Sequence, residues 1–331
     1  MTDRFPPIPA SQSAPSPPER LVFDENASLP AEGADYVRFL RGPRWRKGKG
    51  LLGIVVGLAV FFLVVNVVSS PFIIGVLLTG GSVETLEVDA PVVTLVSIAA
   101  SLPMMLLVQR WVFGVQGRWL HSVAGRFRWR LALGAALVMT IVLAISMVVT
   151  AAVEGTPLAP DLSVMSILMV VAALAVIPFQ AAAEEYLVRG IIARSAGAGA
   201  RRPWVGLAVS VLMSSLVFAL LHGNLLPGLM IYYTLFGAFL WWLTWRTGGL
   251  EAAVGVHAAF NILVFLQGFL FAQPVGLSTT VTAAEQFSAL WVVIPLAVAV
   301  LVILWWFRRT GMRRTFAGVE SGLAGAVDGS A

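Results

Sequence analysis

Apolar residues recur along this chain in long blocks separated by short polar connections, at roughly 51–78, 91–109, 131–153, 163–193, 204–222, 227–245, 249–271 and 288–307. Each block is near the ~20 residues an α-helix needs to cross a hydrocarbon core of about 30 Å, and none is short enough to read as a buried helix of a soluble domain. The pattern predicts an all-α polytopic membrane protein, a bundle of about eight transmembrane helices. Residues 1–36, rich in Pro and Ser, bury little and read as a disordered cytosolic tail, and residues 313–331 as a second one. The transmembrane domain is expected between them, over 37–312. No apolar run falls in the first 35 residues, so the first span itself is expected to direct insertion.

Composition strengthens the membrane reading. Of 331 residues 58% are hydrophobic and 12% charged, and the mean hydropathy is +0.88. A water-soluble fold would have too little polar side-chain surface to cover itself. The Cys count is zero, which excludes disulfides, thiolate metal sites and a Cys nucleophile.

The net charge of +5 does not point to nucleic acid, because the basic residues flank apolar spans. They alternate with the spans. Basic residues from Arg38 to Lys49 precede the first, and Glu84, Glu87 and Asp89 follow it; Arg110 to Arg130 come next, then Glu154 and Asp161. Arg194, Arg201 and Arg202, then Arg246, then Arg308 to Arg314 complete the series on one side. By the positive-inside tendency both termini are cytosolic. The bias towards Ala, Gly, Val and Arg fits a GC-rich bacterial genome, and so a bacterial inner membrane. Trp241, Trp242, Trp245, Trp305 and Trp306 precede basic residues where an aromatic belt is expected. The stretch from Trp111 to Arg130 interleaves aromatics with arginines, as in an amphipathic helix lying in the interface, with His121 as a partly solvated member. Gly53 and Gly57 form a GxxxG pattern that could pack two helices.

An ionisable residue inside an apolar span costs roughly 2.5–3.5 kcal/mol on insertion scales, so each asks for a partner or a purpose. The fourth span carries Gln180-Ala-Ala-Ala-Glu184-Glu185-Tyr-Leu-Val-Arg189, an EExxxR pattern. Glu185 and Arg189, four apart with the acid first, form an ion pair along one helical face. Glu184 lies about 100° further round, shares a face with Gln180 and is left without a cation. A lone Glu in a low-dielectric groove can take a proton from water, as a general base must. The fifth span closes on Phe218-Ala-Leu-Leu-His222 (FxxxH) and the seventh contains His257-Ala-Ala-Phe-Asn261 (HxxxN), which aims an imidazole and a carboxamide the same way. Singly, each has a structural reading as polar glue between helices. Together they place two of the three histidines, the buried Glu pair and a buried Asn in neighbouring spans. For depths to agree, with His222 roughly 28 Å from Pro203 and Asn261 roughly 18 Å from Gly249, the fourth helix must run past Arg189 to about Ala196, or the fifth must tilt.

EExxxR, FxxxH and HxxxN, in that order on successive spans, resemble the signature of the CPBP intramembrane proteases, the CAAX-protease and bacteriocin-processing (Abi) family, over about residues 160–272. The resemblance implies an eight-helix bundle with a conical cytosol-facing cavity and endoproteolysis of membrane-embedded or lipid-anchored substrates, with the lipid bilayer as the other partner. It implies that Glu184 and His222 activate a water and that His257 and Asn261 hold the oxyanion, with Glu185, Arg189 and Phe218 supporting the site. No HExxH zinc motif and no GxSxG nucleophile elbow is present. Glu184, His222 and His257 could hold a divalent metal such as zinc, but Asn261 is a poor zinc ligand and a good oxyanion donor, which favours metal-free water activation. A non-catalytic scaffold or immunity-type protein on the same fold, and a proton-coupled transporter, are the competing functions. The lack of an internal repeat weighs against the transporter.

Overall fold

The computed structural model describes residues 28–80, 91–271 and 289–318. The acidic residues Glu84, Glu87 and Asp89 therefore lie outside the described residues, as do 1–27 and 319–331 of the expected tails. Among the described residues the chain is helical, with no strand beyond two isolated bridges, Asp35 to Thr315 and Ser122 to Gly249. The first span is α1 (Lys47–Leu78), and the second is divided into α2 (Pro91–Ala99) and α3 (Leu102–Phe113). A short α4 (Arg118–His121) leads to α5 (Trp129–Glu154). The fourth span is α6 (Val164–Glu185), continued by a π-helical segment (Tyr186–Ala193) and α7 (Arg194–Gly199). Then follow α8 (Pro203–Leu221), α9 (Pro227–Thr247), α10 (Glu251–Leu270) and, after a 3-10 turn, α11 (Val293–Arg309).

Among the described residues, seven helices are long and apolar enough to cross a membrane. The eighth predicted block is α9, a helix of 21 residues that is not one of the seven. Its Tyr232, Tyr233, Thr234, Thr244 and Arg246 lower its hydropathy, and it lies packed against α8, α10 and α11.

The helices approach closely where side chains are absent. A Cβ on Gly255 of α10 would come within 2.2 Å of the Ala132 carbonyl oxygen, so glycine lets α10 lie directly on α5. The GxxxG pair packs within the chain: Gly53 faces the Phe113 ring, and Gly57 faces Leu187 and Ile191 of the π-helical segment. Charge joins the same two helices. Arg128, at the start of α5, makes a two-pronged ion pair with Glu251, at the start of α10, through Nε to Oε1 and Nη2 to Oε2, both 2.8 Å. Arg128 Nη1 also donates to the Arg313 carbonyl at 3.0 Å.

The end of the bundle that carries most basic residues is packed over by three segments. The residues expected to end the first tail, 28–36, are ordered, because Leu29 and Tyr36 are apolar enough to bury. The Tyr36 hydroxyl donates to the Leu120 carbonyl at 2.5 Å. Phe39 stacks on Trp119 and meets Phe316 edge-on. Likewise 313–318 continue the fold, with Phe316 buried and its N–H donating to the Ala34 carbonyl. Arg194, grouped above with the cytosolic cations, is wholly buried, its guanidinium over the rings of Tyr36 and Phe39 at 4.8 and 5.0 Å.

Two expectations change. The stretch from Trp111 to Arg130 is not one amphipathic helix. Only α4 is helical between Gly114 and Arg128, and the segment is tied instead to the start of α10, through Val123 N–H to the Gly248 carbonyl and Leu250 N–H to the His121 carbonyl. Gly114 and Gly125, both at positive φ, turn the backbone out of a continuous helix. Trp241 is not a belt residue, because its Nε1 donates to Ser210 Oγ at 2.8 Å in the buried contact between α8 and α9.

Removing one member of a buried ion pair leaves its partner uncompensated, at a cost of about 3–5 kcal/mol. We therefore expect Glu251→Gln to lower the thermal unfolding temperature of the purified protein in detergent far more than an exposed substitution such as Glu154→Gln, measured by intrinsic tryptophan fluorescence.

Candidate active site

The three sequence motifs come together where α6, α8, α9 and α10 meet. Their positioning begins with the continuity of the fourth span. The helix does not end at Glu185 but runs on through the π-helical segment to Gly199, which supplies the continuation past Arg189 that matched depths required. A π-helical stretch inside a longer helix shifts the register of the side chains that follow and is found mostly at functional sites.

Glu185 is the hub. Its Oε1 accepts from Arg189 Nη1 at 2.8 Å and from His257 Nδ1 at 2.8 Å, and all three side chains are buried. Arg189 Nη2 donates to the Gly237 carbonyl at 3.0 Å, and its guanidinium lies 4.5 Å over the Phe218 ring. Gly237 is required for this approach, because a Cβ there would stand 3.0 Å from Ser215 Cα. The pair predicted along α6 is therefore also the anchor of α9 and α10.

His257 has its orientation set by that anchor. Oε1 of Glu185 already accepts from a guanidinium, so the imidazole nitrogen facing it must carry the proton. Nε2 is then directed at Glu184 Oε2, 3.7 Å away. The rings of Phe218 and Phe236 stand edge-on to His257, with centroids 5.6 and 5.4 Å away.

Glu184 stands apart from Arg189, as its place on the helix requires. Its side chain keeps 12% of its surface exposed, and its Oε1 accepts from Gln180 Nε2 at 2.5 Å. Gln180 Oε1 in turn accepts from Asn261 Nδ2 at 3.0 Å. His222 caps α8. Its Nδ1 lies 2.8 Å from the Phe218 carbonyl, which can only accept, so Nδ1 is protonated and Nε2 of the neutral ring holds a lone pair. Its ring stacks on Tyr233 at 3.9 Å and lies 4.6 Å from that of Phe218. The Glu184 carboxylate is within electrostatic reach of this ring.

The structure thus links Glu184 to Asn261 through Gln180, sets His257 on Glu185 with its Nε2 3.7 Å from Glu184, and connects His222 to the Glu185–Arg189 pair through Phe218. Among the described residues no three His, Asp or Glu side chains converge closely enough to hold a metal ion. Glu184, His222 and His257 as they stand do not form the metal triad considered above, and no step is derived through a metal.

Three further residues belong to this region. Gln180 has a legible signal, an amide four residues before an acid on one helical face. Tyr233 has none, because its place beside His222 comes from the packing of α9 on α8. Tyr186, next to Glu185, meets His121: the phenol hydroxyl bonds the imidazole Nδ1, and the two rings lie edge to face.

Residues 163–263 match the family model described as type II CAAX prenyl endopeptidase, Rce1-like. The match runs from α6 into α10, includes all three motifs, and leaves α1 to α5 and α11 outside it. No curated protein and no solved structure matches the chain.

His121 lies outside the spans. Its burial holds its pKa below the ordinary imidazole value, a shift partly opposed by the Glu251 carboxylate. A lowered folded-state value means that the unfolded chain binds the proton more readily. The stability this contributes is complete above the unfolded value of about 6.5 and is lost as pH falls towards the folded one. We expect the unfolding temperature in detergent to fall between about pH 7 and 5, and His121→Gln to flatten that slope. An unchanged slope in the variant would remove His121 from the acid sensitivity.

Proposed function

We propose that this chain, which over residues 163–263 belongs to the CAAX-protease (CPBP) family, is an intramembrane endopeptidase that hydrolyses a peptide bond of a membrane-embedded or lipid-anchored substrate with water activated by Glu184 and His222. The observation that carries the proposal is the hydrogen-bonded chain of Glu184, Gln180 and Asn261, with His257 3.7 Å from Glu184 and the Nε2 lone pair of His222 nearby, inside a bundle of apolar helices.

A water lying between Glu184 and His222 finds two acceptors, a carboxylate oxygen and an imidazole lone pair. As its oxygen attacks the scissile carbonyl, one proton passes to this pair and the carbonyl π electrons move onto oxygen. Asn261, with an N–H left over from its bond to Gln180, can donate to that oxyanion. His257 can donate only as an imidazolium, since Nδ1–H is spent on Glu185, and the Glu185 carboxylate stabilises that cation. When the tetrahedral intermediate collapses, the proton held by Glu184 or His222 is delivered to the departing amine nitrogen. Phe218 shapes the site by carrying His222 on its carbonyl and Arg189 on its ring. The active group is thus of the glutamate type.

The seven apolar helices and the family together mark an integral membrane protein. We place it in a bacterial inner membrane with both termini cytosolic, on the alternation of basic residues with spans. Fusions of a cytosol-active fluorescent protein after residue 46 and after residue 318 should both fluoresce, while alkaline phosphatase joined after Pro160 should be active. The reverse pattern would invert the topology.

In proteoliposomes, a farnesylated CAAX peptide of the class in the family description and an unprenylated membrane peptide would be offered in parallel. Loss of a general base costs about 10²–10⁴-fold, so Glu184→Gln and His222→Ala should each abolish measurable cleavage while still inserting and purifying. Asn261→Ala, which removes an oxyanion donor, should lower kcat about 10²–10³-fold. Cleavage retained by Glu184→Gln would sink the proposal.

A further inference from the structure

Gln180 has the same spacing to Glu184 as Arg189 has to Glu185, four residues along α6, but its partners face the water-activating side of the site. It is buried, and both ends of its amide are engaged. The orientation of that amide is chemically forced. An ionised carboxylate can only accept, so the nitrogen of Gln180 must face Glu184, and its oxygen is left for the carboxamide of Asn261. Asn261 must then present its nitrogen, and one of its two N–H groups stays available. One side chain on α6 therefore bonds the Glu one turn along and orients the Asn on α10, two groups from different helices.

We propose that Gln180 is a positioning residue for hydrolysis: by donating to Glu184 and accepting from Asn261 it holds the proton acceptor and the oxyanion donor in one geometry. This rests on the roles proposed above for Glu184 and Asn261. Polar glue between α6 and α10 is the plainer reading of the same two hydrogen bonds, and it makes a different forecast. Glue contributes to stability and leaves turnover alone. A positioning bridge acts on the chemical step, since displacements near 1 Å in a catalytic group cost on the order of a hundredfold in rate.

The test uses the full-length protein in proteoliposomes with the same two peptides. Gln180→Met keeps the side-chain length and removes both hydrogen bonds. We expect kcat to fall ~30- to 300-fold with KM within about threefold of wild type, as for an interaction that matters in the transition state rather than in substrate binding. Combined with Asn261→Ala, Gln180→Met should cost much less than the product of the two single effects, because both remove one bridge. Gln180→Glu keeps the shape and the acceptor for Asn261 but sets a second carboxylate against Glu184. It should lower kcat in the same way, with KM little changed, and decides the matter alone if the Met variant does not fold. A wild-type kcat in whichever variant folds, with only a lowered unfolding temperature, overturns the positioning role. Glu184→Gln runs alongside. If it cleaves, the catalytic reading itself has failed; if it is inactive while the Gln180 variants turn over normally, only the bridge has.

Discussion

The arrangement of this bundle depends on one carboxylate in an apolar interior. Glu185 is fully buried, and an ion there is tolerated only where its charge is matched. Arg189 supplies the charge from one turn along the same helix, and His257 supplies a second donor from α10. The guanidinium is met from two further helices: α9 brings the Gly237 carbonyl to its Nη2, and α8 covers it with the Phe218 ring. Four helical elements are thus fixed around a single oxygen. The polar network of Glu184, Gln180 and Asn261 stands directly above this anchor, and His222 is attached to it through Phe218. The anchor sets His257, and so decides which nitrogen of that ring faces the reacting groups.

A second constraint is the length of the fourth span. It continues as a π-helix past the acids and ends only at Gly199, which carries Arg194 into the core between Tyr36 and Phe39. The segments around residues 28–46, 114–128 and 311–318 then pack over the ends of the bundle. His121 links that layer to Tyr186 and so to the residue beside Glu185. The clamp between Arg128 and Glu251 holds α5 and α10 at the same level. Arg128, placed from the sequence among the cations of a connection, is therefore structural, because its acid partner Glu251 comes from a distant part of the chain.

How much could be read from the sequence follows from the range of the interactions. Span positions were legible because hydrophobic length is a local property, and the Glu185 and Arg189 pair because it lies within one helical turn. The group around Glu184, His222, His257 and Asn261 was legible through its motifs, and the bridging place of Gln180 through its spacing. The second donor to Glu185, the imidazole of His257, was not, since it depends on how α10 lies on α6. Tyr233, Glu251 and the burial of Arg194 escaped for the same reason. The expected interfacial helix over 111–130 failed because glycines and contacts to residues 248–250 outweigh an aromatic and basic composition. The expected tail failed at 28–36 because Leu29 and Tyr36 find apolar partners that composition does not reveal.

The central claim is that water attacks a peptide carbonyl at Glu184 and His222. The most direct measurement incubates the purified protein, reconstituted with native membrane proteins in ¹⁸O-enriched water, and identifies newly formed carboxyl termini by mass spectrometry beside an identical Glu184→Gln sample. The account predicts a defined set of peptides whose new carboxyl termini carry one ¹⁸O, present with the wild-type protein and missing with the variant. The same set of labelled termini in both samples, or none in either, would contradict it.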